Sequence, residues 1–440
     1  MSATGRPLPP LRPVSPAPER GARPEPAGAT PWRPAHLLRA PHRLAFFLAM
    51  VLLLASGLWW AAVQLDRATG VPGLSYAVSP TVLHAAVMSF GFMPLFFAGF
   101  LFTAGPKWLG LDGPEARTLR PMLLLQALGW LLWLAGGHRS VALAVAGAST
   151  AAVGLAWQYE RFGALVRASR APDRLHARVV TAAGAFGAFS VAGLALATAF
   201  GAVDLARAFV LSGLWGFPVL TYIAVAHRMI PFFTSSAVPM VQVWRPFWVL
   251  WALLGAALLE LLAVWLDWAG LAGGRPGMWV RGLLELVAGA VVLWLGVAWG
   301  LVQSLRIRLL AMLHLGFLWL GLSFVLAGAS QLLGLSGGAP LFGLGALHAL
   351  TMGFLGSILL AMATRVSCGH SGRALVADGL VWGLFWSLQA AVLLRLLGAT
   401  PQASSLWLLS AALVWAAMVV VWGLRLMNWY GRPRADGRPG

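Results

Sequence analysis

Residues 44–65 read LAFFLAMVLLLASGLWWAAVQL, and this stretch decides the fold class. It carries no charged residue and is long enough to cross about 30 Å of hydrocarbon as a helix. A strand of a membrane barrel would instead alternate apolar and polar residues with a period of two. Because lipid offers no partners to the backbone, an unbroken apolar run of this length predicts a membrane-spanning helix.

Runs of the same kind recur along the whole chain, and the loops between them are short. Of the 440 residues, 60% are hydrophobic and 10% are charged, and the mean hydropathy is +0.80. The sequence therefore predicts an all-α fold, a polytopic membrane helix bundle of about 12 transmembrane helices. The predicted spans are 44–65, 81–104, 119–136, 140–158, 179–201, 208–227, 247–268, 280–301, 309–332, 343–364, 377–399 and 404–426.

Two polar tails flank these runs. Residues 1–40 are rich in Pro, Ala and Arg without apolar periodicity, which predicts a disordered, Pro/Arg-rich cytoplasmic tail. Residues 41–426 are the predicted twelve-helix transmembrane domain, and residues 427–440 are a short basic cytoplasmic tail. The single cysteine, Cys368, excludes a disulfide within the chain.

The distribution of the net charge of +18 along the chain indicates a membrane protein rather than a nucleic-acid-binding protein. Lysine and arginine crowd the two tails and the even-numbered loops, which predicts that both termini are cytoplasmic. The lipid bilayer is the partner that this pattern indicates, and nucleic acid is not. Only six of the 31 basic residues fall on the other side: Arg67, Arg139, Arg207, Arg275, Arg281 and Arg395.

Two spans open with similar heptads that each begin with histidine. Residues 84–90 read HAAVMSF and residues 348–354 read HALTMGF. Both spans run in the same direction, so His84 and His348 are predicted at similar depth in the outer leaflet. An imidazole in hydrocarbon is costly and usually has a partner or a function. Two imidazoles on different helices at one depth are a suitable ligand pair for haem iron.

Three further histidines are predicted near the inner face: His227, His314 and His370. Three imidazoles could hold copper. For all five positions the alternative is structural, a hydrogen bond to a carbonyl on a neighbouring helix. The remaining histidines are predicted to be at the interface or solvated: His36, His42, His138 and His176.

Side chains near these histidines extend the cofactor hypothesis. Met88 and Met352 each follow a paired histidine by four residues and share its helix face, as thioether ligands or, more simply, as packing. Haem propionates seek arginine at the membrane edge. The outer candidates for this contact are Arg207, Arg281 and Arg395, and the inner candidates are Arg228, Arg365 and Arg373.

Two acidic residues are predicted within spans. Glu260 is interpreted either as a proton relay or as a hydrogen-bonding group between helices. Glu285 is expected to pair with Arg281, four residues before it. Pro231 is predicted to end the sixth helix, and tryptophans at span ends, Trp60 among them, are predicted to anchor at the interface.

Several segments together resemble the NnrS family of multi-pass membrane proteins. They are Pro41–Phe47, His84–Met88, Gly99–Ala104, Arg228–Thr234, His314–Phe317, His348–Met352 and Gly369–Arg373. The resemblance implies a bacterial inner-membrane protein that contains haem and copper and is tied to nitric oxide metabolism or to resistance to nitrosative stress. It also implies that the ligand positions to test are His84, His227, His314, His348 and His370.

The chain departs from the family pattern in its second span. Many members have a second histidine and a glutamate just after the first histidine, where this chain has Ala86 and Val87. A role assigned to either family residue therefore cannot be transferred here.

The leading functional hypothesis is a haem-binding membrane protein with nitric oxide as its small-molecule ligand and a respiratory-chain electron donor. One alternative is a proton-coupled secondary transporter, although no matched repeat or interrupted helix is evident in the sequence. The other is a non-catalytic partner of a respiratory complex.

Overall fold

The computed structural model describes residues 31–238, 240–335 and 343–438. Within these ranges, twelve helices are long and apolar enough to cross a membrane, which confirms the predicted all-α membrane bundle. We number them α1 to α12 in chain order. They span Pro41–Thr69, Pro80–Thr103, Ala116–Arg139, Val141–Ala168, Leu175–Ala199, Val203–Ala237, Phe247–Trp268, Gly274–Ala298, Arg308–Gly334, Gly345–His370, Gly379–Leu397 and Ser405–Tyr430.

Local sequence sets several of the helix ends. Pro41 and Pro80 lie at the first turns of α1 and α2, where a missing backbone N–H costs nothing. Gly70 follows the last residue of α1 and has a φ of 76°, a conformation that glycine adopts without steric penalty. Asp378 caps α11 by accepting a hydrogen bond from the backbone N–H of Val381 at 3.0 Å.

The helices pack so that the first and last are neighbours. α1 packs against α12, α3 against α4, and α8 against α9, while α10 lies between α9 and α11. The four most buried helices are α2, α6, α9 and α10. These central helices carry all five histidines that the sequence nominates as metal ligands.

Three of the central helices are irregular. α2 is interrupted between Phe90 and Met93, because Pro94 has no N–H to donate to the carbonyl of Phe90. α6 contains a π-helical segment at Trp215–Val219, and α10 contains another at Ala349–Gly356. These irregularities were not evident in the sequence. π-Helical turns concentrate at functional sites, and the one in α10 starts immediately after His348.

The prediction that Pro231 ends the sixth helix is also wrong. α6 continues through Pro231 to Ala237. A proline inside a membrane helix removes one backbone hydrogen bond, and neighbouring groups in a bundle can satisfy the carbonyl it frees.

The described residues at the two ends of the chain lie together on one side of the bundle. Pro34–Leu38 form a 3-10 helix, and the Nδ1–H of His36 donates to the carbonyl of Gly431 at 2.8 Å. Arg43 donates to the carbonyl of Arg432 at 2.7 Å. We call this side the terminal face, and the opposite side, where α1 ends and α2 begins, the distal face.

The described residues just before α1 pack against the bundle. Leu37 and His36 are buried, and both fall within the stretch 1–40 that was predicted to be disordered. Leu37 packs into the hydrophobic core, and His36 is bound to the carbonyl of Gly431, so these residues are held against the bundle. Residues 1–30 of that prediction lie outside the described residues.

Glycines allow α3 and α4 to approach closely, which gives a test of the packing. A methyl group added at Gly147 would lie 2.5 Å from the backbone nitrogen of Trp133, so the helices would have to separate. We expect Gly147→Ala to lower the free energy of unfolding by about 1–3 kcal/mol. The measurement is thermal unfolding in detergent.

The matched control is Gly255→Ala in the middle of α7, where an added methyl group meets nothing within 4 Å. There alanine is the better helix former, and we expect a gain of up to about 1 kcal/mol. Equal effects at the two glycines would contradict the close approach of α3 and α4.

Candidate functional site

The structure brings the two outer candidates together near the distal face. His84 is in the first turns of α2 and His348 is in the first turn of α10. Their ring centres are 6.4 Å apart and their planes differ by 11°. Metal–nitrogen bonds to imidazole are about 2 Å long, so two imidazoles that bind one ion from opposite sides place their centres roughly 6 Å apart. The observed separation fits one metal ion between the rings.

The hydrogen bond that His348 makes through Nδ1 leaves the lone pair of its Nε2 available to a ligand. Its Nδ1 lies 2.9 Å from the carbonyl oxygen of Leu344. A carbonyl can only accept, so Nδ1 carries the proton and the lone pair is on Nε2. Metal-binding histidines commonly donate their second N–H in this way, which fixes the ring and its tautomer.

His84 is held by stacking rather than by a hydrogen bond. Its ring lies flat on the indole of Trp60, with centres 3.7 Å apart and planes within 17°. Its Nδ1 is buried and has no hydrogen-bond partner. The environment of His84 therefore gives this imidazole a fixed orientation but no polar group that would explain its presence as structural.

A cavity of about 280 Å³ adjoins both rings. Its walls are mainly apolar and include Met88 and Met352, while Arg67 and Arg395 supply positive charge. The Nη1 of Arg395 is buried and has no hydrogen-bond partner. An apolar plate with two carboxylates would match these walls and this unpaired donor. None of the described residues that line the cavity is acidic.

Sequence reasoning missed part of this cavity. Trp60 was predicted only as an interface anchor, yet it stacks on His84; Gln64 and Arg67 line the same space. The three residues recur at spacings of four and three, so they share one face of α1. That spacing, together with a glutamine in an apolar span, is the signal that could have identified them.

The three inner candidates do not meet in one site. The Nδ1 of His227 lies 3.0 Å from Nε2 of His176, and the Nε2 of His227 lies 3.2 Å from the carbonyl of Pro246. His314 Nε2 lies 2.9 Å from Oγ1 of Thr234. His227 thus has a hydrogen-bond neighbour at each ring nitrogen, whereas His314 has one at Nε2 and its buried Nδ1 has none. Over the described ranges, no group of three or more His, Cys, Asp and Glu side chains is placed to hold a metal ion.

His370 has a different neighbour. Its ring centre lies 4.5 Å from that of His42, at the terminal face. His42 and His176 were predicted to be at the interface or solvated, and both are buried. His138 also has a structural role, because its ring bridges the indole N–H of Trp59 and the carbonyl of Ser75, each at 2.7 Å.

A second apolar cavity, of about 470 Å³, opens toward the terminal face and contains two sequence candidates, His370 and Arg365. Arg365 lies over the ring of Phe233 at 4.1 Å. Arg434 also lines this cavity, and its positive charge is balanced by the carboxylate of Asp436. The hydrogen bonds from Arg434 stabilise that carboxylate and lower the pKa of Asp436 to about 2. This cavity is separate from the one that adjoins His84 and His348.

The other basic candidates lie elsewhere. Arg228 is 3.7 Å from a carboxylate oxygen of Asp173, and Arg373 lies over the ring of Trp429. Arg207 and Arg281 line a third, polar cavity near the distal face. Of the six arginines predicted to contact propionates, only Arg395 lines the cavity beside His84 and His348.

Comparison with known proteins gives one match. A family model described as NnrS protein matches residues 36–434, which include all twelve helices and the residues that line the cavity beside His84 and His348. No curated protein and no solved structure matches the chain.

Proposed function

The chain belongs to the NnrS family of nitric-oxide-related membrane proteins, and we propose that it binds haem and acts in nitric oxide metabolism or in resistance to nitrosative stress. The observation that carries the proposal is the near-parallel pair of imidazoles, 6.4 Å apart, on two central helices. We further propose that the membrane is the bacterial inner membrane, with the terminal face in the cytoplasm. The distal face would then be outside.

In this proposal the residues around the cavity would each have a different role in binding haem. His84 and His348 ligate the iron, and the carbonyl of Leu344 keeps His348 in the tautomer that presents Nε2. Arg67 and Arg395 pair with the propionates. Trp60 fixes the His84 ring. When bound, haem would supply one-electron transfer, and its iron would be open to nitric oxide only in place of one of the two imidazoles.

The geometry favours ligation by both histidines over ligation by one. Both rings line one cavity at a separation that fits a single ion, so both imidazoles would hold the haem, which would supply electron transfer. Electrons would come from a donor of the respiratory chain. Copper at His227, His314 and His370 gains no support from their positions, because each has a different partner.

Absorption spectroscopy of the purified protein tests the proposal. Protein produced with an adequate haem supply should show a Soret band and, after reduction with dithionite, the sharp visible bands of a low-spin bis-histidine haem. Nitric oxide should then change the spectrum of the reduced protein. A colourless preparation from haem-replete cells would refute haem binding.

The transporter alternative finds little support in the helix irregularities. In a 6+6 repeat, α2, α6 and α10 would correspond to α8, α12 and α4. The first three are irregular, whereas the last three are continuous α-helices. Proteoliposome uptake that depends on His84 and His348 would favour transport over haem binding.

A further inference from the structure

One guanidinium and three carboxylates meet between α7 and α8. Arg281 donates to Glu260 at 2.8 Å, to Asp267 at 3.0 Å and to Glu285 at 2.7 Å. The expected pairing of Arg281 with Glu285 is therefore present, but Glu260 belongs to the same cluster. If every group were ionised, three negative charges would face a single positive charge.

Two of the three acids are deeply buried. Glu285 is 0% exposed and Glu260 is 4% exposed, whereas the Asp267 side chain is 54% exposed. Each buried acid uses one oxygen for Arg281; the other oxygens, Glu260 Oε1 and Glu285 Oε2, are buried without a partner when both groups are treated as ions. The two carboxyl groups lie close together, because both contact the guanidinium of Arg281.

One proton bound to this pair of carboxyl groups would remove both the excess negative charge and the lack of hydrogen-bond partners. Two carboxylates that share a site cannot both ionise cheaply, and an unpaired buried acceptor carries a further cost. One proton on either carboxyl group provides a donor for the other group. It also lowers the negative charge of the cluster by one, with no electron transfer required.

The cluster is connected to the distal face by a polar cavity of about 700 Å³. Glu260, Asp267 and Arg281 line it, as do the exposed Asp204 and Arg207 on α6. α9 contributes hydroxyl and amide groups but no charge, and the described start of α10 with Gly343 and Leu344 contributes no titratable side chain. The space and its polar lining suit water, which could carry protons to Glu260.

We propose that Glu260 and Glu285 form a proton-binding site that holds one shared proton at neutral pH and exchanges it with water at the distal face through this cavity. The site requires no haem and goes beyond the function proposed above. Arg281 positions both carboxyl groups and limits the site to a single proton, because it can neutralise one of the two acids.

Infrared spectroscopy of the full-length purified protein tests this proposal. At neutral pH the wild type should show a carbonyl stretching band of a protonated carboxyl group, and the band should shift in D₂O. Labelling glutamate with ¹³C at the side-chain carboxyl should also shift the band, which assigns it to glutamate without any substitution.

Glu285→Gln and Glu260→Gln should each abolish the band, because the remaining carboxylate then pairs with Arg281 and has no need of a proton. Asp204→Asn, which alters the same cavity away from the cluster, should retain it. Absence of the band in the labelled wild type, or its persistence in both glutamine variants, would overturn the proposal. A glutamate band that does not shift in D₂O would overturn exchange with the distal face.

Discussion

His348→Ala and His84→Ala are each expected to lower the haem content of the purified protein by at least ~10-fold, since even loss of an outer-sphere contact to a metal site commonly costs that much. Any haem that remains should lose its low-spin, six-coordinate spectrum, because one axial imidazole is missing. The measurements are pyridine-haemochrome analysis and absorption spectroscopy of the variants beside the wild type.

Two controls separate ligation from folding. Added imidazole should restore the low-spin spectrum of His348→Ala, since a free imidazole can occupy the space that the substitution creates. His314→Ala alters a buried histidine on another central helix, where Thr234 is its partner, and should keep the wild-type spectrum. Wild-type haem content and spectra in both outer variants would contradict the pair as ligands.

Arg281→Gln is expected to cause the largest loss of stability. The substitution removes the only hydrogen-bonded cation from two buried carboxyl groups, Glu260 and Glu285. Breaking a buried ion pair by removing one partner typically costs about 3–5 kcal/mol. The deficit should shrink as the pH falls, because protonation removes the charge that Arg281 had balanced. Thermal unfolding in detergent across a range of pH measures both effects.

Arg275→Gln provides the matched control on the same helix. Arg275 is exposed on α8, and a surface substitution of this kind usually changes stability by no more than about 0.5 kcal/mol. Equal losses at Arg275 and Arg281 would show that the cluster contributes nothing specific to stability.

The sequence predicted the helices and the depth of each histidine, but not the side of its helix from which each histidine projects. Apolar runs determine where a chain crosses the bilayer, so α1 to α12 follow the predicted spans, and most of them are longer than predicted. His84 and His348 were predicted at one depth, and the structure places their ring centres 6.4 Å apart. His227, His314 and His370 also share a predicted level, yet each points to a different neighbour.

Other features depend on contacts that no local pattern contains. The burial of His176 follows from the position of His227 on another helix. The cluster around Arg281 combines a predicted pair, Arg281 and Glu285, with Glu260 from the preceding helix. Sequence spacing identifies partners within one helix, whereas partners on different helices depend on how the helices rotate and pack.

The adjacency of α1 and α12 bears on the order of biosynthesis. Trp60 comes from α1 and Trp415 from α12, and both line the cavity that also contains His84 and His348. A ribosome makes α1 before it makes α12. The cavity therefore cannot close until α12 has entered the bilayer and packed against α1.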